Sequence, residues 1–385
     1  MRSWAVIALV LAAAALAAAC GSTSAAVEGE AASETTPAGF DPLSCDGDVA
    51  VMTTYGGFGA ADTVQMNWAR VALDKFNRDR GTAFTIMPLN VDADAAEAEE
   101  AARRIAANPN AIGVVGPKTS AATRAAGPIL DAAGLAYISP SATNATLTDG
   151  SLRNFHRVVA SDALQAPTMA EFIGQRLDPS TVLIVHDDES YSQGFASALS
   201  EKLDELKIPH RDIAIMVGQR TFDDVVALVD PTVNVVALPL LDAKDAVALV
   251  QQLWKAGKYP KIVGGDALFM KAFAVPGAYV TTYSPDSSKE DAANDLVRLY
   301  RSIFGDFEQF GAPAYVAMQV LLEAAWDVCL ERGSVDRRAV AAQVPKTRLE
   351  TSMLGTPIAF ERNGELKGAT VQVYQIGPRG FELVE

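Results

Sequence analysis

The stretch TVLIVHDDESYSQGFASALSEKLDELKIPHRDIAIMV, residues 181–217, decides the fold. It opens on an apolar, β-branched run at 181–186, passes through a helix-like segment at about 192–206 and closes on a second apolar run at 212–217. Strand, helix and strand in that order make a βαβ unit of a parallel sheet. The alternation continues through VNVVALP (233–239), a helix over about 243–256 and KIVGGD (261–266). The same pattern also stands upstream: VAVM (49–52), FTIMPL (84–89), IGVV (112–115) and LAYI (135–138), with Ala-rich amphipathic stretches such as 63–79 and 94–107 between them. The series runs twice, so the fold is α/β with two similar lobes.

Beyond Asp266 come a strand near 278–282, helices near 290–304 and 313–331, and an Asn363-Gly364 pair that predicts a type I′ hairpin. These are too few for a third domain and serve to complete the two lobes. A chain that passes between lobes several times makes a hinge.

The 385 residues are 49% hydrophobic and 21% charged, which supports two ordinary cores and excludes global disorder. A net charge of -15 with no basic patch argues against a nucleic-acid partner. At the start, Met1 and Arg2 precede an unbroken apolar run from Trp4 to Ala19. That is a secretion signal, shorter than the roughly 20 apolar residues of a membrane-spanning helix. Residues 1–20 are thus read as a signal peptide. LAAAC (16–20) resembles a bacterial lipobox, which implies a lipid on Cys20 and anchoring to the membrane; the alternative is a plain cleaved signal and a periplasmic or secreted chain. Leu16 stands one position further from the cysteine than in that pattern. Residues 21–45, rich in Ala, Ser, Thr, Glu and Gly, read as a flexible linker. The two remaining cysteines, Cys45 and Cys329, form a candidate disulfide in an oxidising compartment; two separate thiols, with Cys329 buried in a helix, are the alternative.

His156, His186 and His210 are scattered, and no metal, nucleophile-elbow or phosphate-loop motif is present, so the sequence predicts no catalytic residues, no cofactor and no metal. His186 beside Asp187 and Asp188 is better read as a strand end next to solvated acids. The informative segments lie elsewhere. In open α/β sheets ligands sit beyond the carboxyl ends of the strands. Two polar stretches stand at such ends: VVGPKTSAATRAAGPI (114–129), with Thr119 and Ser120 at a helix entrance suited to a carboxylate, and AYISPSATNATLTDG (136–150), with Ser141, Thr143 and Asn144.

From about Val49 onward, "SPSATN", "RNFHRVVASDALQAP", "HDDESYSQG" and "ALVQQLWKAGKYPKIVGGDAL" resemble the solute-binding proteins of branched-chain amino-acid ABC transporters, of the leucine/isoleucine/valine-binding family. The resemblance implies a type 1 periplasmic-binding-protein fold: two Rossmann-like lobes with parallel-sheet cores, joined by three crossovers near 162, 283 and 355. The N-terminal lobe would comprise 46–162 and 283–354, the C-terminal lobe 163–282 and 355–385. It further implies a non-enzymatic monomer that closes on one amino acid, branched-chain or related, and presents it to ABC permease and ATPase subunits. The alternative is a sensory module of the same fold that signals to a membrane partner without transport.

Carried over by position, Ser120 and Thr143, with the backbone around Ser141, match groups that hold the α-carboxylate and help with the α-amino group. Asp266 matches the acid facing the α-ammonium, and Tyr191 and Tyr315 match aromatic residues that close over the ligand. A zwitterion leaving water needs donors at one end and a fixed anion at the other. The chain departs from the pattern at Lys118, in the loop around Phe58, and near Leu241 and Asp242. An inward Lys118 would favour an acidic or polar ligand; an outward, snorkelling Lys118 is the alternative.

Overall fold

The computed structural model describes residues 45–55, 63–306 and 308–384. The signal peptide, Cys20, the linker up to residue 44 and Phe58 lie outside them.

The first lobe begins with β1 (Asp46–Thr53), α1 (Val64–Arg80), β2 (Ala83–Asn90), α2 (Ala95–Ala107), β3 (Ala111–Val115), α3 (Ser120–Ala133), β4 (Tyr137–Ser139) and β5 (Phe155–Arg157). The second is built from α4 (Asp162–Arg176), β6 (Val182–Asp187), α5 (Ser190–Glu205), β7 (His210–Ile215), α6 (Asp223–Leu228), β8 (Val235–Leu238), α7 (Ala243–Lys255), β9 (Lys261–Gly264) and β10 (Tyr279–Thr282). The chain then returns to the first lobe with α8 (Asn294–Phe304), α9 (Ala312–Arg332) and α10 (Arg337–Gln343), and ends in the second with β11 (Gln372–Gly377) and β12 (Gly380–Leu383).

The first sheet has the order β2-β1-β3-β4-β5 and is parallel throughout. The second has the order β12-β11-β10-β9-β8-β6-β7; five strands are parallel, and the last two add an antiparallel edge. In each sheet the order reverses beside the lobe's first strand, β1 or β6. Such a switch point leaves a crevice at the strands' carboxyl ends, and in this chain those ends carry the loops after β3, β4, β6 and β9.

The helices cover both faces because the strands are apolar on both. Helix α9 is buried nearly all round: it fills the space between α1 and the first sheet, where Trp68 stacks on Tyr300 with centroids 4.5 Å apart and meets Tyr315 edge-on at 6.0 Å. Cys329 on α9 is bonded to Cys45, with Cα atoms 5.7 Å apart, so the start of β1 is tied to the helix behind it.

The three passages between the sheets meet in a small cluster of their own, where Val159, Ala160 and Tyr283 pack with Phe310, Ala369 and Val371. The third passage lies after Leu366 and not near 355, because Ile358, Phe360 and Leu366 still belong to the first lobe's core. The Asn363-Gly364 turn also differs from its expected type. Only glycine takes positive φ there (Gly364, +89°), and the Gly364 N–H bonds to Glu361 O at 3.0 Å. That is a three-residue connection ending in a left-handed glycine, not the two-residue I′ form. A side chain at Gly364 would strike Phe155 O, since the turn lies directly on β5.

Candidate functional site

A cavity of about 20 Å³, room for about one water, lies between the lobes at the strand ends. Lys118, Thr119, Ser120 and Ser141 line it from the first lobe, Tyr191, Leu241, Asp266 and Ala267 from the second, and Phe310 from the connection before α9.

On the first lobe's side, α3 points its N-terminus at the cavity. Thr119 caps it, with Oγ accepting from Ala122 N–H at 3.2 Å. Ser120 Oγ accepts from Asn144 N–H at 3.2 Å, which leaves the hydroxyl proton to donate. With the free N–H groups of the first turn, this end of the cavity suits an anion.

The hydroxyl-rich loop after β4 is largely occupied with holding itself. Ser139 Oγ donates to Pro117 O at 2.6 Å and accepts from Ala142 N–H at 2.9 Å. Ser141 Oγ donates to Lys118 O at 2.6 Å and accepts from Gln65 Nε2 at 2.9 Å, so Ser141 forms wall and has no hydroxyl proton to spare. Beneath the loop lies Arg157, fully buried. Its guanidinium donates to the carbonyls of Ala142 and Asn144, each at 3.0 Å, and pairs in bidentate fashion with Glu365 at 2.5 and 3.0 Å. The turn at Gly364 is what brings Glu365 there.

At the other end, Asp266 stands after β9, 2% exposed. Tyr191 OH donates to its Oδ1 at 2.9 Å, and Gln165 Nε2 donates to the same oxygen at 2.5 Å. Burial pushes this carboxyl up to about 6, with the bonds from Gln165 and Tyr191 pulling back. A second acid, Asp162, lies in the fully buried layer behind it. Neither of its oxygens has a hydrogen-bond partner of good geometry. Burial first, and the neighbouring Asp266 second, raise Asp162 well above the usual carboxylate range; Thr143 and Arg157 lie near enough to oppose this in part.

Of the residues expected at the site, Ser120, Ser141, Tyr191 and Asp266 share the cavity wall. Thr143 is one layer back, fully buried, its carbonyl accepting from Asp162 N–H at 2.8 Å. Tyr315 is a correction: it faces Trp68 inside the first lobe, because its place on α9 points it at α1, and Phe310 supplies an aromatic wall instead. Lys118 contributes its stem, while its ammonium is held by Thr54 Oγ at 2.7 Å and lies 3.7 Å from Asp92. Asp242 caps α7 through Lys244 N–H, leaving Leu241 to face the cavity. Asp187 spends its two oxygens on Glu189 and Leu241 N–H groups, and no cluster of metal-ligating residues occurs among the described residues.

Asp162, Gln165 and Phe310 were not singled out as site residues by sequence reasoning. The first two belong to SDALQAP, where an acid in a helix's first turn is an ordinary sign of helix entry.

A family model described as periplasmic binding protein matches residues 48–380. The chain belongs to that family. Its members bind solutes and perform no turnover, and their place is outside the cytoplasm. No helix among the described residues of this periplasmic binding protein is long and apolar enough to cross a membrane.

Among its relatives, "Leu/Ile/Val-binding protein homolog 1" of Brucella abortus is 26% identical over 261 residues, spanning 66% of this chain and 69% of the relative. The leucine-, isoleucine-, valine-, threonine-, and alanine-binding protein of Pseudomonas aeruginosa is 25% identical over 293 residues, 68% of this chain and 70% of that one. Among solved structures, the leucine-binding protein LivK of Thermotoga maritima superposes with a TM-score of 0.76 at 22% identity, covering 88% of this chain and 97% of its own. LivJ of Streptococcus pneumoniae in complex with isoleucine gives 0.75 at 20%, covering 88% and 98%. These two likenesses establish the two-lobed fold.

Proposed function

We propose that this protein captures an α-amino acid between its lobes and presents it to the permease of an ABC importer, and that a lipid on Cys20 anchors it to the membrane. One observation carries the reading: a single cavity has the N-terminus of α3 with Ser120 at one end and buried Asp266, oriented by Tyr191 and Gln165, at the other. An α-carboxylate finds N–H and O–H donors at the first end. An ammonium finds a fixed anion at the second. Each charge leaves water for a partner, which is the condition for burying a zwitterion.

Between these ends the wall is apolar, with Leu241, Ala267, Phe310 and the Tyr191 ring, and Lys118 keeps its ammonium to Thr54 and Asp92. An aliphatic side chain suits that wall better than an acidic one, in keeping with the branched-chain ligands in the relatives' names. The cavity has to widen to admit such a ligand, so capture includes opening and reclosing of the lobes.

The test is calorimetric binding of the twenty amino acids to residues 21–385. Saturable binding of an aliphatic amino acid, lost in Asp266→Ala, supports the reading. Binding of a ligand that has no ammonium, or that survives the substitution, refutes it.

A further inference from the structure

The two lobes touch directly on both flanks of the cavity. On one flank Lys271, from the second lobe, donates its backbone N–H to Glu308 and its ammonium to Asp306, each at 2.9 Å. The ammonium and the Asp306 carboxylate are more than half exposed, and pairs of that kind contribute little.

The other flank is buried. Asn144, 4% exposed, leaves the loop after β4 and donates Nδ2 to the Ser190 carbonyl in the first turn of α5, at 2.6 Å. Its Oδ1 stays within the first lobe, accepting from Thr146 N–H at 3.0 Å and Thr146 Oγ at 2.7 Å. The backbone of Asn144 is held by Ser120 and Arg157. Within the side chain, therefore, one half fixes the loop and the other half crosses to the opposite lobe.

One turn further along α5 lies Gly194. A Cβ there would come within 2.4 Å of Asn144 Nδ2, and the three atoms nearest to it all belong to Asn144. The helix has a notch at this position, and the amide of Asn144 occupies it.

We propose that Asn144 is the latch of the closed form: its amide seats in the notch at Gly194 and ties the lobes through Ser190, so that a closed population exists before any ligand bridges them. The inference deepens the capture reading and rests on it for its consequence. Asn144 lines no part of the cavity and acts on the ligand only by positioning the lobes. Ligand contacts then add to a closed state that is already populated, and apparent affinity scales with that population.

Two variants separate the latch from the loop. Asn144→Asp keeps an acceptor for Thr146 and removes the donor to Ser190. Gly194→Ala fills the notch and changes no residue of the loop or of the cavity wall. With spin labels at exposed Glu97 and Lys244, one on each lobe, the distance distribution of the ligand-free protein is expected to contain a short component that both variants lose. For the amino acid found by calorimetry, dissociation is expected to quicken by roughly tenfold with association little changed, the effect of losing one buried hydrogen bond.

A ligand-free wild type with only the long component, or variants that retain the short one, would overturn the proposal. If no amino acid binds, the capture reading fails and the ligand-free distances still decide the latch. Should Asn144→Asp not fold, Gly194→Ala carries the test alone.

Discussion

Ligand affinity should fall steeply below pH 6, and Asp266 is the reason. Burial raises its carboxyl to about 6, against an ordinary value of 3.8. The group is an anion at pH 7 and half neutral at pH 6; below that it loses the charge that holds an ammonium. If binding requires the ionised form, affinity falls by roughly tenfold at pH 5 and a hundredfold at pH 4 relative to neutral pH. The α-ammonium titrates far above this window and the α-carboxylate mostly below it, so the slope belongs to the protein. Removing the charge outright, in Asp266→Asn, leaves the ammonium buried against a neutral amide; losses at such pairs run to about 2–5 kcal/mol, or roughly 30- to 4,000-fold in Kd. Calorimetric titrations at half-unit steps from pH 8 to pH 4, on wild type and variant, make the comparison. The variant's affinity should be low and flat with pH. A wild-type affinity constant from pH 7 to pH 5, or a variant within threefold of wild type at pH 7, would refute the assignment of Asp266 to the ammonium.

Asp162→Asn should stabilise the protein near neutral pH. Because the folded-state pKa of Asp162 is raised, the folded chain holds a proton that the unfolded chain releases, and stability declines as pH rises above the ordinary carboxylate range. The variant lacks that decline: its melting temperature should match wild type near pH 4 and exceed it at pH 7–8, and an equal melting temperature at pH 8 would count against a buried carboxyl kept neutral by desolvation. Arg157→Met leaves Glu365 only the Thr148 hydroxyl and leaves two loop carbonyls without their donor, at a cost of about 2–4 kcal/mol in urea unfolding, with weakened ligand binding because the loop from Ser141 to Asn144 loses its anchor. Opening the Cys45–Cys329 bridge, which spans 284 residues, should cost about 2–5 kcal/mol, read as a fall in denaturant midpoint on adding reductant. A double Cys→Ala variant should show that same low midpoint with or without reductant.

The alternation of apolar runs and amphipathic stretches was enough to read the parallel strands β1–β4 and β6–β10, but not β5 or the antiparallel edge of β11 and β12. Runs such as VNVVALP and KIVGGD are buried on both faces in the parallel sheet, and their near-continuous apolar character is the mark of that burial. β5 was harder to read from the residues, since its three residues FHR include two that are polar in composition and buried in fact: His156 lies against Phe360, and Arg157 has Glu365 for a partner 208 positions away. No local pattern announces a partner at that distance. The site shows the same division. Asp266 and Ser120 line one cavity because a strand end and a helix entrance face each other there, whereas Tyr315 depended on which face of α9 meets α1, a matter of packing that a helix apolar all round does not encode. The hydroxyls of the loop after β4 gave the clearest signal, and much of their bonding serves the loop itself. Ser139 and Ser141 are engaged with Pro117, Lys118 and Gln65, and this internal bonding, fastened by Arg157 from below, is what lets the chain present Ser120 and Asn144 in fixed directions. A loop built of flexible polar residues becomes rigid by satisfying its own hydrogen bonds, and that rigidity fixes both the cavity wall and the contact to the opposite lobe.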